Sequence, residues 1–143
     1  MFETMYEAEG VGLAAQQVGY TGRETVWEGS VRPAVFINPE ILWTEGEYIG
    51  EEGCLALPED SENAECVTRR GIRCRVCALD GNGRVFEMDL DGIAAKALQH
   101  EIDHLNGVLI LEHFNAIKRN LLRGQLRKLQ REGKKQAPGM TYV

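Results

Sequence analysis

Two histidines separated by three residues stand out in this chain, in the segment His100-Glu101-Ile102-Asp103-His104. On a helix, residues four apart face the same way, so both imidazoles can bind one metal ion, with Glu101 beside it. Apolar side chains recur at helical spacing through residues 93–105, and Gly107 can adopt the left-handed conformation that ends a helix. The sequence therefore predicts a metal-binding helix over residues 93–106.

A catalytic metal site normally has three protein ligands and one open position, so a third ligand is needed. The remaining histidine, His113, is expected at the surface or at a helix end. Cysteine is the natural alternative, and Cys54 is the strongest of the four cysteines. Gly53 allows the backbone to turn tightly beside it, and Pro58 stops any regular continuation.

The other cysteines have a different explanation. Cys74 and Cys77 have the spacing of a zinc knuckle or a dithiol redox pair, but the chain has no second pair of this kind. Residues 71–79 alternate like a strand, in which residues three apart point to opposite faces. We therefore expect Cys74 and Cys77 to be strand residues and Cys66 to be structural.

A segment rich in small residues, Gly10-Val11-Gly12-Leu13-Ala14-Ala15-Gln16-Gln17, can pass close to a ligand. The side-chain amide of Gln17 can donate a hydrogen bond to a developing oxyanion. By itself, such a segment can equally serve packing or cap a helix.

The three segments follow the order GxGLAAxQ, EGCL and HExDHLxG, at residues 10–17, 52–55 and 100–107. In this combination the chain resembles the peptide deformylase family, from about residue 5 to the C-terminal helix. The resemblance implies that Cys54, His100 and His104 bind the metal and that Glu101 is the general acid/base. It also implies that the Gln17 amide and the backbone N–H of Leu55 are the oxyanion donors.

The resemblance implies removal of the N-formyl group from the N-terminal formylmethionine of nascent polypeptides, with release of formate. A metal-bound water would be the nucleophile and Glu101 would transfer its proton to the leaving amine. The backbone of Gly12 would meet the peptide, and Val11, Ile93 and Ala97 are expected to form the apolar wall for the thioether side chain. Ferrous iron is the expected ion, although zinc, nickel or cobalt suit the same ligands.

Three features depart from the family pattern. Ala56 stands where a serine usually follows EGCL, and Ser61 lies where relatives often carry a substrate-binding arginine. Only residues 1–9 precede the first motif, where relatives carry a longer segment. We expect either a start further upstream or a compact variant.

The expected fold is α+β, with short antiparallel strands packed around the central metal-binding helix and with a C-terminal helix. Strands are predicted over residues 24–27, 34–41, 73–80 and 85–90, after a helix remnant over residues 1–8. Residues 80–83 read Asp-Gly-Asn-Gly, which is typical of a hairpin turn. We expect a catalytic domain over residues 1–117 and a basic C-terminal helix and polar tail over residues 118–143.

Charge is unevenly distributed along the chain. Residues 118–135 carry +7 and residues 1–117 carry −13, which together give the net charge of −6. Leu121, Leu122, Leu126 and Leu129 give the basic segment an apolar stripe, which fits a helix packed on the domain. The family resemblance favours a second role, docking on the ribosome, with phosphate contacts that weaken in salt.

The chain contains no apolar run long enough for a membrane span and no signal segment, so we expect a cytoplasmic protein, with an organellar origin as the alternative. We also expect a monomer. Two rival functions are weighed against deformylation. A zincin-type endopeptidase shares HExxH but usually takes its third ligand from a downstream histidine or acid. A non-catalytic relative that binds ribosomes or peptides would not need the complete set of site residues.

Overall fold

The computed structural model describes residues 1–28, 33–54, 57 and 66–136. In chain order its elements are α1 (Phe2–Glu7), β1 (Gly12–Ala14), a first 3₁₀ helix (Ala15–Val18), β2 (Glu24–Glu28), β3 (Pro33–Glu45), β4 (Tyr48–Glu52), β5 (Cys66–Arg70), β6 (Arg73–Leu79), β7 (Val85–Asp91), α2 (Gly92–Leu105), a second 3₁₀ helix (Ile110–His113) and α3 (Ala116–Gln136). The predicted α+β class is confirmed. All four predicted strands and the metal-binding helix are present, within a few residues of the expected bounds.

The strands form two antiparallel sheets. One has five strands in the order β1-β2-β3-β6-β7, and the other pairs β4 with β5. β6 and β7 form the predicted hairpin, in which Asp80 Oδ1 accepts the N–H groups of Asn82 and Arg84. β3 extends four residues beyond the prediction and pairs with β6 through two irregularities in register.

α2 packs across the five-stranded sheet because one of its faces is apolar. Ala95, Leu98 and Ile102 contact a buried cluster contributed by β3, β6 and β7. Gly107 has φ of 79°, and the N–H groups of Gly107 and Val108 bond the carbonyls of His104 and Asp103. This is the predicted left-handed end of the helix. α2 is therefore held at a fixed position, with its histidines on the side facing the end of β4.

A second core lies under α3. Leu122 is buried there with Leu57, Cys66, Ile110 and Phe114, and Leu126 is half-buried beside them. The prediction of one stripe of four leucines is wrong, because Leu121 and Leu129 remain 64% and 42% exposed. Leu121 lies about 100° around the helix from Leu122, so the two cannot share one narrow face. Within the described ranges, no helix combines the length and apolar character needed to cross a membrane.

Candidate metal centre

The three predicted metal ligands come together at the end of β4. α2 presents His100 and His104 one turn apart, and the segment after β4 brings Cys54 opposite them. Their ligand atoms all lie within 4.8 Å of one another. Nε2 of His104 is 2.9 Å from Nε2 of His100 and 3.3 Å from Sγ of Cys54. Among the described residues, this is the one group of histidine, cysteine and acidic side chains that we find able to hold a metal ion.

The distances fit a divalent transition metal. Metal–nitrogen bonds of about 2.0–2.1 Å and a metal–sulfur bond of about 2.3 Å place tetrahedral donor atoms about 3.3–3.6 Å apart. The observed separations of 2.9 and 3.3 Å are slightly shorter, so a small outward movement of the side chains would admit the ion. Two imidazoles and one thiolate suit iron, zinc, nickel or cobalt and leave an open coordination position.

Glu52 fixes the orientation of the first histidine. Nδ1 of His100 lies 2.5 Å from Glu52 Oε1 and donates its proton there, which leaves the lone pair of Nε2 free for a metal. Glu52 also accepts hydrogen bonds from Thr68 Oγ1 at 2.8 Å and from Arg70 Nη2 at 2.7 Å. Burial by itself raises the pKa of Glu52. The hydrogen bonds with His100 and Arg70 have the opposite and larger effect, and together with the other contacts they hold the pKa well below its usual range. Glu52 is therefore a carboxylate that locks His100.

The arginine that neutralises Glu52 also reaches α2, where Nη1 of Arg70 donates to Asp103 Oδ2 at 2.5 Å. Sequence reasoning assigned no role to Glu52, Thr68, Arg70 or Asp103. Glu52 and Asp103 could have been suspected because both lie inside the quoted motifs. Thr68 and Arg70 carry no local signal, since only the pairing of β4 with β5 brings them to Glu52.

The electrostatics of the ligands favour a cation. Burial lowers the pKa of His100, but the hydrogen bonds with Cys54 and Glu52 raise it more, to about 10. The same negative groups that favour a proton on His100 favour a divalent metal ion in its place.

Glu101 lies beside the ligands and is 5% exposed. Among the described residues its Oε2 atom is buried and has no hydrogen-bond partner. β1 passes very close, because a Cβ on Gly12 would lie 2.8 Å from Glu101 Oε1, so a larger residue there would displace the carboxyl. Burial raises the pKa of Glu101 to about 7, against the lowering effect of His100 and His104. Both protonation states of Glu101 are therefore accessible near neutral pH, as a general acid/base requires.

Gln17 is oriented by the backbone of β1. Its Oε1 accepts the N–H of Ala14 at 2.8 Å, which fixes the plane of the amide. Nε2 is then the group left to donate, and Gln17 lines the same pocket as Glu101. This arrangement is compatible with the predicted oxyanion role.

Two of the predicted metal ligands, Cys54 and His100, line a pocket of about 670 Å³. It lies between the start of β1, the end of β4 and one face of α2, and its walls include the predicted substrate residues Val11, Gly12, Ile93 and Ala97. Val11 and Ile93 are 53% and 77% exposed, so both offer apolar surface to a ligand. Leu55, Ala56 and Ser61 lie outside the described residues.

Lys96 is a pocket residue that sequence reasoning missed. Its Nζ donates to the carbonyl of Glu51 at 2.5 Å and lies 5.2 Å from the centre of the Tyr48 ring. The contact ties α2 to β4 across the pocket wall. The sequence feature that could have placed Lys96 in the pocket was its position one helical turn before His100.

The remaining cysteines are placed as predicted. Cys74 and Cys77 lie on β6, with Cys74 buried and Cys77 half-buried, and Cys66 is buried at the start of β5. Burial raises the pKa of the Cys66 and Cys74 thiols, which keeps them protonated and poor as ligands. The four cysteines all lie in the described ranges, and no disulfide links any two of them. His113 lies at the end of the second 3₁₀ helix, as expected for a helix-end histidine, and is not in the metal group.

Comparison with known proteins identifies the family to which this chain is similar. A profile of the polypeptide deformylase family matches residues 1–120. A peptide deformylase of Alkalilimnicola ehrlichii is 46% identical over 145 residues, covering 99% of this chain and 79% of the relative. The crystal structure of peptide deformylase from Thermus thermophilus has a TM-score of 0.81 at 41% identity, covering 92% of this chain and 80% of that one. A Synechococcus elongatus peptide deformylase in complex with actinonin has a TM-score of 0.76 at 38% identity, with 87% and 68% covered.

Proposed function

Because this chain belongs to the peptide deformylase family, we propose that the residues of its metal centre and pocket carry out the family's reaction. The enzyme removes the N-formyl group from the N-terminal formylmethionine of nascent polypeptides and releases formate. One observation carries the assignment of roles. The pocket is lined by Cys54, His100 and Glu101, where three ligand atoms converge beside a buried carboxylate oxygen without a partner among the described residues.

Cys54, His100 and His104 would hold the metal ion, with Glu52 fixing the tautomer of His100. The ion supplies Lewis-acid activation of a water molecule and of the formyl carbonyl near neutral pH. We propose ferrous iron because the family resemblance implies it; the two imidazoles and one thiolate suit this ion, as they also suit zinc, nickel or cobalt.

Glu101 would move the proton. Its Oε2 atom accepts a proton from the attacking water and delivers it to the nitrogen of the departing amine. The absence of a competing hydrogen bond among the described residues and the raised pKa both support this assignment. Formate and a free N-terminus are the products.

The substrate would bind as an extended strand beside β1. β1 forms one edge of the five-stranded sheet. Its first residue, Gly12, and the preceding Val11 line the pocket, so an extended peptide can hydrogen-bond along this edge. Val11, Ile93 and Ala97 offer an apolar surface to the flexible thioether of methionine. Gln17 Nε2, together with the N–H of Leu55, would donate to the oxyanion.

The endopeptidase alternative gains no support from this arrangement. Asp103 pairs with Arg70 and does not join the ligand group, so the endopeptidase alternative gains no downstream acidic ligand from α2.

Because nascent chains are made in the bacterial cytoplasm, we propose that the enzyme acts there. We also propose that it acts as a monomer, since Cys54, His100, His104 and Glu101 already form the proposed centre without a residue from a second chain.

Replacing Gln17 tests the oxyanion role. We expect Gln17→Glu to lower kcat by about 10²–10³-fold or more, because it keeps the acceptor for the Ala14 N–H and removes the donor. KM for formyl-Met-Ala-Ser should change much less, since the donor acts mainly in the transition state. Gln16→Glu, at the exposed neighbouring position, is the matched control. Equal kcat values in the two variants, measured as formate release at equal metal content, would exclude Gln17 as the donor.

The basic segment of α3 would dock on the ribosome. Arg123, Arg127, Lys128 and Arg131 are all exposed, and packing on the domain depends on Leu122 and Leu126 instead. An exposed cationic face beside an otherwise acidic chain suits the phosphates of ribosomal RNA.

Neutralising this face tests the docking proposal without removing α3. A variant with glutamine at those four exposed positions keeps Lys118, whose Nζ stacks on Phe114, and Arg119, which bonds the carbonyls of Glu112 and Phe114. Co-sedimentation with ribosomes should weaken, and the slope of log affinity against log salt should become about three units shallower. Turnover of a formylated tripeptide should stay unchanged. If the variant pellets with ribosomes as well as its parent, α3 has a structural role alone.

A further inference from the structure

The third histidine of the chain is not a metal ligand, but it lies at the outer end of a chain of contacts that reaches one. We propose that His113 is a positioning residue for the metal centre, acting on His100 through Asp103, Arg70 and Glu52. The inference rests on the proposed function of that centre and extends it to the segment between α2 and α3.

A series of side-chain contacts leads from His113 at the surface to the metal ligand, and its outermost step is longer than a hydrogen bond. His113 Nε2 lies 3.6 Å from Asp103 Oδ2, and the same oxygen accepts Arg70 Nη1 at 2.5 Å. Arg70 then donates to Glu52 through Nη2 at 2.7 Å and through Nε at 3.1 Å. Glu52 completes the series by accepting Nδ1–H of His100 at 2.5 Å.

The inner and outer members of this series differ in exposure. The side chains of Arg70 and Glu52 are 7% and 5% exposed, so each is held by its neighbours and by the surrounding packing. The side chains of Asp103 and His113 are 28% and 29% exposed. Of the three charged members, Asp103 is therefore the one that solvent can most easily draw away, and His113 is the side chain next to it at the outer end of the series. A displaced Asp103 would leave Arg70, a buried cation, with one carboxylate partner where it had two.

His113 is itself placed by α3. It ends the second 3₁₀ helix, between Glu112 and the buried Phe114. The Arg119 guanidinium donates to the carbonyl of Phe114 at 3.1 Å and to that of Glu112 at 3.4 Å. The backbone on both sides of His113 is thus anchored to the first turn of α3, which fixes the distance between the imidazole and Asp103.

The test measures how fast the intact holoenzyme, loaded with cobalt, gives up its metal to a chromogenic chelator. Losing an outer-shell partner typically weakens a site by about 10–100-fold, so Asp103→Asn should release the ion about 10-fold faster. His113→Ala, one contact further out, should release it about threefold faster. His113→Gln keeps an N–H donor of similar reach and should stay within about a factor of two of the parent. The cobalt absorption spectrum should shift in the same order.

A double-mutant cycle separates this role from simple loss of structure. If His113 acts through Asp103, adding His113→Ala to Asp103→Asn should cause no further acceleration. Glu112→Ala is the control, since it removes the Glu112 hydrogen bond to the Leu109 N–H in the same 3₁₀ helix without touching Asp103. It should lower the melting temperature while leaving the release rate unchanged.

Independent, additive effects of His113→Ala and Asp103→Asn would overturn the inference, as would acceleration by Glu112→Ala equal to that of His113→Ala. A release rate of His113→Ala equal to that of the parent would also overturn it. Formate release by the parent is recorded separately. A parent that binds cobalt but releases no formate would contradict the proposed function and leave the metal-release comparison intact.

Discussion

Replacing Glu101 with glutamine is expected to remove nearly all turnover while leaving the metal bound. The substitution keeps the size and position of a side chain that is 5% exposed, and it does not touch Cys54, His100 or His104. It does remove the group that we propose accepts and delivers the proton. General acid–base catalysis typically contributes about 10²–10⁴-fold to the rate, so kcat should fall by about 10²-fold at the least.

A matched control is available in the same pocket. Glu51 is exposed and lines the pocket near the ligands, so Glu51→Gln removes a carboxylate without removing the proposed proton carrier. Formate release from formyl-Met-Ala-Ser should be close to that of the parent in this control. Near-normal turnover in Glu101→Gln would show that another group moves the proton.

The second large effect is expected at Cys54. Cys54→Ala removes one of the three proposed ligands, so metal affinity should fall by more than the roughly 100-fold that loss of an outer-shell partner can cost. Activity should disappear with the metal. The measurement is metal content after dialysis against a weak chelator, together with formate release from the same sample.

Cys66→Ala and Cys74→Ala are the controls for Cys54. Both thiols are buried, and burial raises the pKa of each, which disfavours the thiolate that a metal needs. Both variants should retain metal and activity, even if loss of buried volume lowers their melting temperature. Metal loss in either variant would show that the ligand is a different cysteine.

The sequence predicted the metal helix well because its signals are local. The spacing of His100 and His104, the apolar repeat on α2 and the left-handed Gly107 all lie within one short segment. The same holds for the hairpin between β6 and β7, whose turn residues are adjacent in the chain. Joining Cys54 to the helix required the family resemblance, since 45 residues separate Cys54 from His100.

The contacts that hold Glu52 beside His100 could not be predicted from such local signals. Arg70 and Thr68 reach Glu52 because β5 buries every second residue beside β4. That register depends on a pairing between two five-residue strands, and neither strand was predicted from the sequence. β1 was also missed, because its three residues are too few to show an alternating pattern.

The most direct test of the metal centre measures iron content and formate release on the same oxygen-free samples of three proteins. The parent should bind ferrous iron stoichiometrically and release formate from formyl-Met-Ala-Ser. Glu101→Gln should hold the same amount of iron and release almost none, and Cys54→Ala should lack both iron and activity. Formate release by Cys54→Ala without bound metal, or full activity of Glu101→Gln, would contradict the proposed roles of these residues.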